Sequence, residues 1–297
     1  MNCLARTARS AASAFAFWMM CPAATMAQAP PPDLFNPQIE IEYVRPTNAE
    51  FEPIYERLKS RKVLETLRQF LAPLKLKDGK KLVVKFDQCA GASYARYTPL
   101  TAATICYEFV EQVERLAPTA PVHLIQTERR PPVKPDAALV GPVVQALIHE
   151  VAVAAFDILE IPVWGRQDDA ADRVAALVLL QFSKFDLAWN TIVGTAWFLA
   201  GSALAPPDLS DVRGVMAQRY YTTLCLAYGG NRKMFAGFVA FERDNSPAAG
   251  DLPSPRARGC ADEYNVLRHA FNRSIAPHID QALLQRVQQV KWIDFND

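Results

Sequence analysis

The stretch HEVAVAAFDILEIPVWGRQDDAAD, residues His149 to Asp172, orders the rest of the chain. Upstream of it, apolar residues run from Ala138 to Leu159 almost without interruption, too long for a strand and read as one buried helix. Pro162 and Gly165 break that helix. A second helix begins near Asp168 and passes through Val174, Leu177, Val178, Leu180 and Phe182 toward Trp189. It extends to about Leu204, where Pro206-Pro207 ends it. Two long helices joined by a short turn thus carry His149, Glu150, Asp168, Asp169 and Asp172 close to their junction.

Working outward, Ile39 to Val44 alternates apolar and acidic residues, which predicts an exposed strand. Glu50 to Leu76 predicts one or two amphipathic helices, with Ile54, Leu58, Val63, Leu64, Leu67, Phe70 and Leu71 at helical spacing. Lys81 to Phe86 predicts a strand after the Asp78-Gly79 turn. Tyr94–Tyr97 and Thr104–Tyr107 predict a hairpin, and Glu108 to Leu116 a short helix. Beyond the central pair, Asp211 to Tyr228 predicts a helix stopped by Gly229-Gly230. Residues 260–272 and 279–291 predict a last helical pair. The fold class expected is α+β and helix-dominated, with a small sheet flanking the 138–159 helix. Leu187 to Ala205 is apolar enough to mimic a membrane span. It contains Asn190, Thr191, Thr195 and Ser202, and reads better as a core helix.

Composition is that of a globular protein, 51% hydrophobic and 21% charged. The 32 basic side chains balance 31 acidic ones, and no long basic run gives a nucleic-acid footprint. Residues 1–27 have the layout of a signal peptide. Arg6 and Arg9 precede a short apolar stretch, Ala11 to Met20, and small residues lead to Thr25-Met26-Ala27. The stretch is too short for a permanent anchor. The expectation is export, to the periplasm or beyond, after cleavage near Ala27, with no stable membrane insertion of the mature chain. Residues 28–38 then form a flexible lead-in and 39–297 a single domain. Of six cysteines, Cys89, Cys106, Cys225 and Cys260 survive cleavage. An even number in an oxidising compartment points to disulfides. Three pairings are open, and the local ones, Cys89 with Cys106 and Cys225 with Cys260, are favoured. Each would contribute roughly 2–4 kcal/mol.

The chemistry rests on His149-Glu150. Two His at i and i+4 share one helix face and can bind one zinc. A Glu directly after the first His can act as general base beside the metal. A third ligand then comes from another helix, and a further acid orients a ligand His through its second ring nitrogen. Here the i+4 position is Val153, which has no lone pair. Trp164, Trp189 and Trp197 are expected in the core rather than on a ligand face.

Several separated pieces carry a resemblance to a family. These are Ile105-Cys106-Tyr107-Glu108, His149-Glu150 continuing to Phe156-Asp157, Leu159-Glu160-Ile161-Pro162-Val163, Gly165-Arg166 and Asp169-Ala170-Ala171-Asp172. Later come Gln218-Arg219-Tyr220-Tyr221, Cys225, Tyr228-Gly229, Leu252-Pro253, Cys260 and Glu263-Tyr264. In order and spacing the chain resembles, from about 40 to 290, exported bacterial proteins described as putative metallopeptidases. The resemblance implies a zincin-like fold with an HExxH helix, followed by a helix opening Gly-Arg-Glu-Glu-Asp-Ala-Ala-Asp. It implies His149 and Asp168 as metal ligands, Glu150 as catalytic base, and Asp172 and Asp169 as supporting acids. The chain departs from the pattern at Val153, and Asp168 stands where the family has Glu. Three functions follow as expectations. One is a degenerate metallopeptidase that binds a peptide or protein without tight zinc. Another is an active zinc-dependent peptide hydrolase with an altered ligand set. The last is an exported, disulfide-bonded interaction domain that needs no cofactor.

Overall fold

Alternating burial forms the strands β1 (Ile39–Tyr43) and β2 (Leu82–Asp87), where every second side chain points inward from Ile39 or from Leu82, Val84 and Phe86. The computed structural model describes residues 34–90, 96–98, 102–117, 133, 135–203, 209–210, 213–240 and 252–290, with backbone alone at 96–98. Contacts within the chain set residues 33–297 apart as one unit. The leader expected over 1–27 lies outside the described residues.

β1 runs parallel to β2, and β2 parallel to β4 (Ala102–Cys106). Parallel neighbours need a crossover, and α1 (Glu52–Ser60) with α2 (Val63–Leu71) supplies the first one. Lys62, with φ 54°, turns the chain between these two helices. The expected hairpin exists in shifted form. β3 (Arg96–Thr98) pairs antiparallel with β4 and forms one edge of the order β1-β2-β4-β3. Tyr107, expected in the hairpin, instead opens α3 (Tyr107–Leu116), its ring wholly buried and its hydroxyl donating to the Val44 carbonyl at 2.6 Å. The Cys89–Cys106 disulfide closes this corner, and the Cys89 amide donates to the Glu108 carboxylate at 3.0 Å.

The molecule is helix-dominated α+β, built round α4 (Pro135–Ile158), 24 residues long. Every side chain from Gln145 to Phe156 on it is buried. A helix apolar on all sides must be covered on all sides. α3, β3 and β4 cover it from one direction, α5 (Gln167–Phe182) and α6 (Phe185–Ser202) from others. By length and composition α4 could cross a membrane, yet 83% of its most apolar window is buried inside this fold. Continuous helix from Asp168 to about Leu204 was expected, and the structure corrects this. Ser183 and Lys184 are both extended, with ψ near 159° and 158°, and separate α5 from α6. No Gly or Pro marks the break. It is imposed by folding α6 back across α4.

That crossing depends on two glycines. A Cβ on Gly194 would lie 1.8 Å from the Ala137 carbonyl oxygen, and one on Gly141 would lie 2.9 Å from that of Thr191. Gly194→Ala is therefore expected to cost about 2–3 kcal/mol through overpacking against backbone. Gly201→Ala, on the same helix with nothing within 4 Å, should be neutral or slightly stabilising. Equal melting temperatures for the two variants would count against the close crossing.

The remaining helices buttress this core. α7 (Met216–Gly230) starts later than expected and runs through the glycine pair. Gly229 is a contact, not a stop: a Cβ there would sit 2.1 Å from the Cys260 carbonyl oxygen of α9 (Cys260–Ser274). The Cys225–Cys260 disulfide ties the same two helices together. A two-stranded ribbon, β5 (Val239–Ala240) with β6 (Leu252–Pro253), leads through α8 (Ser254–Ala257) into α9. α10 (Gln281–Val287), shorter than expected, closes the described chain, with Asp280 capping its first amides.

Candidate functional site

His149 sits at the middle of α4, where its side chain is 1% exposed. The turn after α4 reverses direction through Glu160 and Gly165, both at positive φ. α5 is thereby brought alongside, with Asp168 and Asp172 one helical turn apart on a single face. The two carboxylates bracket one imidazole. Asp172 Oδ1 lies 2.8 Å from His149 Nδ1, and Asp168 Oδ1 lies 3.4 Å from Nε2. Glu150 Oε1 lies 3.8 Å from the same Nε2.

Arg219 on α7 completes the chain of polar contacts. Its Nε donates to Asp172 Oδ2 at 2.7 Å and its Nη2 to Oδ1 at 3.0 Å. This is the planar fork that a guanidinium offers a carboxylate. Burial alone would push the Asp172 carboxyl up. The Arg219 charge and the hydrogen bonds to His149 and Arg219 outweigh it and hold Asp172 well below the usual carboxylate range. Asp168 is also held below its ordinary value, because the His149 contact and the nearby Arg219 charge overcome its partial burial. Glu150 behaves oppositely. Burial dominates and pushes its carboxyl up to about 7, with His149 pulling down and Asp168 pushing further up. The Asp172 contact at Nδ1 orients the ring so that Nε2 is directed toward Glu150 and Asp168.

The Nε2 to Asp168 separation can be compared with a zinc site. Two ligands about 2.0–2.1 Å from a tetrahedral zinc lie about 3.4 Å apart. His149 and Asp168 match two corners of such a site. The third does not follow. Val153, one turn along α4, is buried in an apolar cluster with Phe156, Ala171 and Val174. Among the described residues, the grouping of three such ligand atoms within 4.8 Å is Cys89, Cys106 and Glu108, where the two sulfurs are joined to each other. The residues present therefore fit two of the three protein ligands that a catalytic donor set needs.

A family model for DUF4344, described as putative metallopeptidase, matches residues 43–275. The chain belongs to the DUF4344 family. No curated protein and no solved structure matches it. In this DUF4344 chain the matched span takes in α4, α5 and α7, the three helices that supply His149, Glu150, Asp168, Asp172 and Arg219.

Not every expected residue joins the cluster. Asp169 turns away and pairs with Arg166 at 2.9 Å. Trp164, expected in the core, is 95% exposed, because the loop between the two positive-φ residues lifts it off the body. Trp197 is buried as expected, and Trp189 stacks on Phe235 and Phe238. Arg219 had no assigned role in the sequence. Its signal was a lone cation inside the otherwise uncharged run Gly214 to Asn231, and such a cation only acquires meaning beside a buried acid.

Glu150 gives a pH prediction. A carboxyl whose folded value is raised binds its proton more tightly when folded, so its contribution favours folding at low pH and is lost as pH rises from about 4.5 to about 7. Glu150→Gln removes the charge. On metal-free protein the variant should match the parent near pH 5 and exceed it at pH 8, by on the order of 2 kcal/mol. Thermal melts at the two pH values measure this. An offset independent of pH would contradict the burial of a titrating Glu150.

Proposed function

We propose that this protein is an exported peptide-binding member of its metallopeptidase family, whose metal site has lost the ligand needed for tight zinc. The observation that carries the reading is the pairing of a preserved framework with an apolar third corner. His149 is still oriented by Asp172, Asp172 is still clamped by Arg219, and Asp168 and Glu150 still flank Nε2. Val153 occupies the position from which a second His would complete the set. The two disulfides fit export. The sheet supports the peptide part: β3 is an edge strand beside α4, and an edge strand offers backbone groups to an extended peptide.

A second reading, a working hydrolase with an altered donor set, is favoured by one observation. Burial brings Glu150 to about 7, the range in which a carboxylate serves as general base at neutral pH. On that reading His149 and Asp168 would hold the metal, which would supply Lewis acidity. Glu150 Oε1 would accept the proton of the attacking water.

Metal content separates the two. After dialysis the purified chain is expected to retain far less than one zinc. Stoichiometric zinc, together with proteolysis abolished by Glu150→Gln, would overturn the first reading in favour of the second.

A further inference from the structure

Behind Asp172, on the side away from His149, α5, α7 and the β6–α8 corner enclose a pocket of about 450 Å³. Four guanidinium groups line it: Arg166, Arg173, Arg219 and Arg256. Their acidic partners are fewer. Asp169 pairs with Arg166, and Asp172 with Arg219. Glu263 serves two arginines, accepting from Arg256 Nη2 at 2.9 Å and lying 4.0 Å from Arg173. The lining holds four arginines and two carboxylates, Glu263 standing outside it, and Arg173 has the most distant partner.

Backbone dipoles add to the charge. The pocket touches the first turns of α5 and of α7, through Arg166 and Asp169 on one and Gln218 and Arg219 on the other. Neither helix has a side-chain cap, and the first turn of α7 has no acid. Helix N-termini carry partial positive charge and unpaired amides, which favour an anion. Arginine forks match a carboxylate in plane and spacing. Tyr221 and Thr222 also line the wall, and the volume suits one or two side chains.

We propose that this pocket binds a peptide carboxylate, and that it selects the anionic peptides the site accepts. The proposal rests on the peptide-binding reading, since the pocket shares Asp172 and Arg219 with the His149 cluster. The carboxylate can come from a chain terminus or from an Asp or Glu side chain.

Three N-acetylated peptides, alike but for one residue and the C-terminus, separate these sources: one with a free C-terminus and Gln, one amidated with Glu, and one amidated with Gln. Isothermal titration calorimetry with the purified chain, in chelator, reads binding without any metal or label. At least one of the charged peptides should bind tenfold or more tighter than the neutral one. Whichever it is identifies the source. Arg173→Gln should weaken that peptide about tenfold and leave the neutral peptide unchanged. Arg173 is over a third exposed and its partner is distant, so the variant should fold, and its melting temperature checks this. Equal binding of all three peptides, or indifference to Arg173→Gln, would overturn the carboxylate pocket while leaving peptide binding intact. No binding by any of them would overturn both.

Discussion

Replacing Val153 with His should give this protein stoichiometric zinc, above all when Asp168→Glu is added. Position 153 lies four residues after His149 and so shares its helix face, about 6 Å along the axis. The parent offers His149 Nε2 and Asp168 Oδ1 at the 3.4 Å separation of two zinc ligands. A second imidazole raises the protein ligands from two to three, the number that catalytic zinc sites use. Affinity should rise by orders of magnitude, from loss on dialysis to about one zinc per chain. Stability should carry a signature of its own. Without metal, a His among Phe156, Ala171 and Val174 buries a polar ring and should cost about 1–3 kcal/mol. With zinc, that loss should reverse, because metal binds the folded state alone. Mass-spectrometric metal content and melts with and without zinc test both parts. A double variant that holds no zinc would mean that His149 and Asp168 are not the remnant of a metal site.

Truncating Arg219 should produce the largest loss of stability. Arg219 is 4% exposed, and its guanidinium gives two hydrogen bonds to Asp172, which is itself nearly enclosed. Arg219→Met would strand that carboxylate with His149 as its remaining strong partner. Breaking one side of a buried pair costs about 3–5 kcal/mol. In a domain of this size that is roughly a 10 °C fall in melting temperature. Removing both charges in Asp172→Leu with Arg219→Met should cost less than the sum of the two single changes, since each single change leaves a lone buried charge and the double change does not. Additive losses would show that the pair is not coupled. Asp172 also sets a pH limit. Its folded value is depressed, so its contribution is present above about 3.8 and is lost only as pH falls further, through the folded value.

Much of the architecture was legible because it is local. The period of apolar residues gave α4 its place, alternation gave β1 and β2, and the short loops between cysteines favoured the pairings seen. Where reading failed, a neighbour had overruled the local signal. Gly229-Gly230 looks like a helix stop, yet α9 needs that bare surface, so the helix continues through it. Ser183-Lys184 carries no breaker, yet the chain must turn there to lay α6 across Gly141. Trp164 has the composition of a core residue but sits on a loop held outward at both ends.

The site divides in the same way. The sequence alone determined that a His-Glu pair lies on a buried helix, that position 153 cannot bind a metal, and that acids follow one turn of loop later. Those facts depend on residue type and spacing within one segment. Only the tertiary structure decided that Asp172 takes Nδ1, that Asp168 and Glu150 face Nε2, that Asp169 is turned away, and that Arg219 anchors the cluster from 47 residues downstream. Spacing fixes which residues share a face of one helix. It says nothing of the angle at which a second helix crosses or of which cation a third delivers, because those are set by packing around α4 and by the need to pair every charge that packing buries.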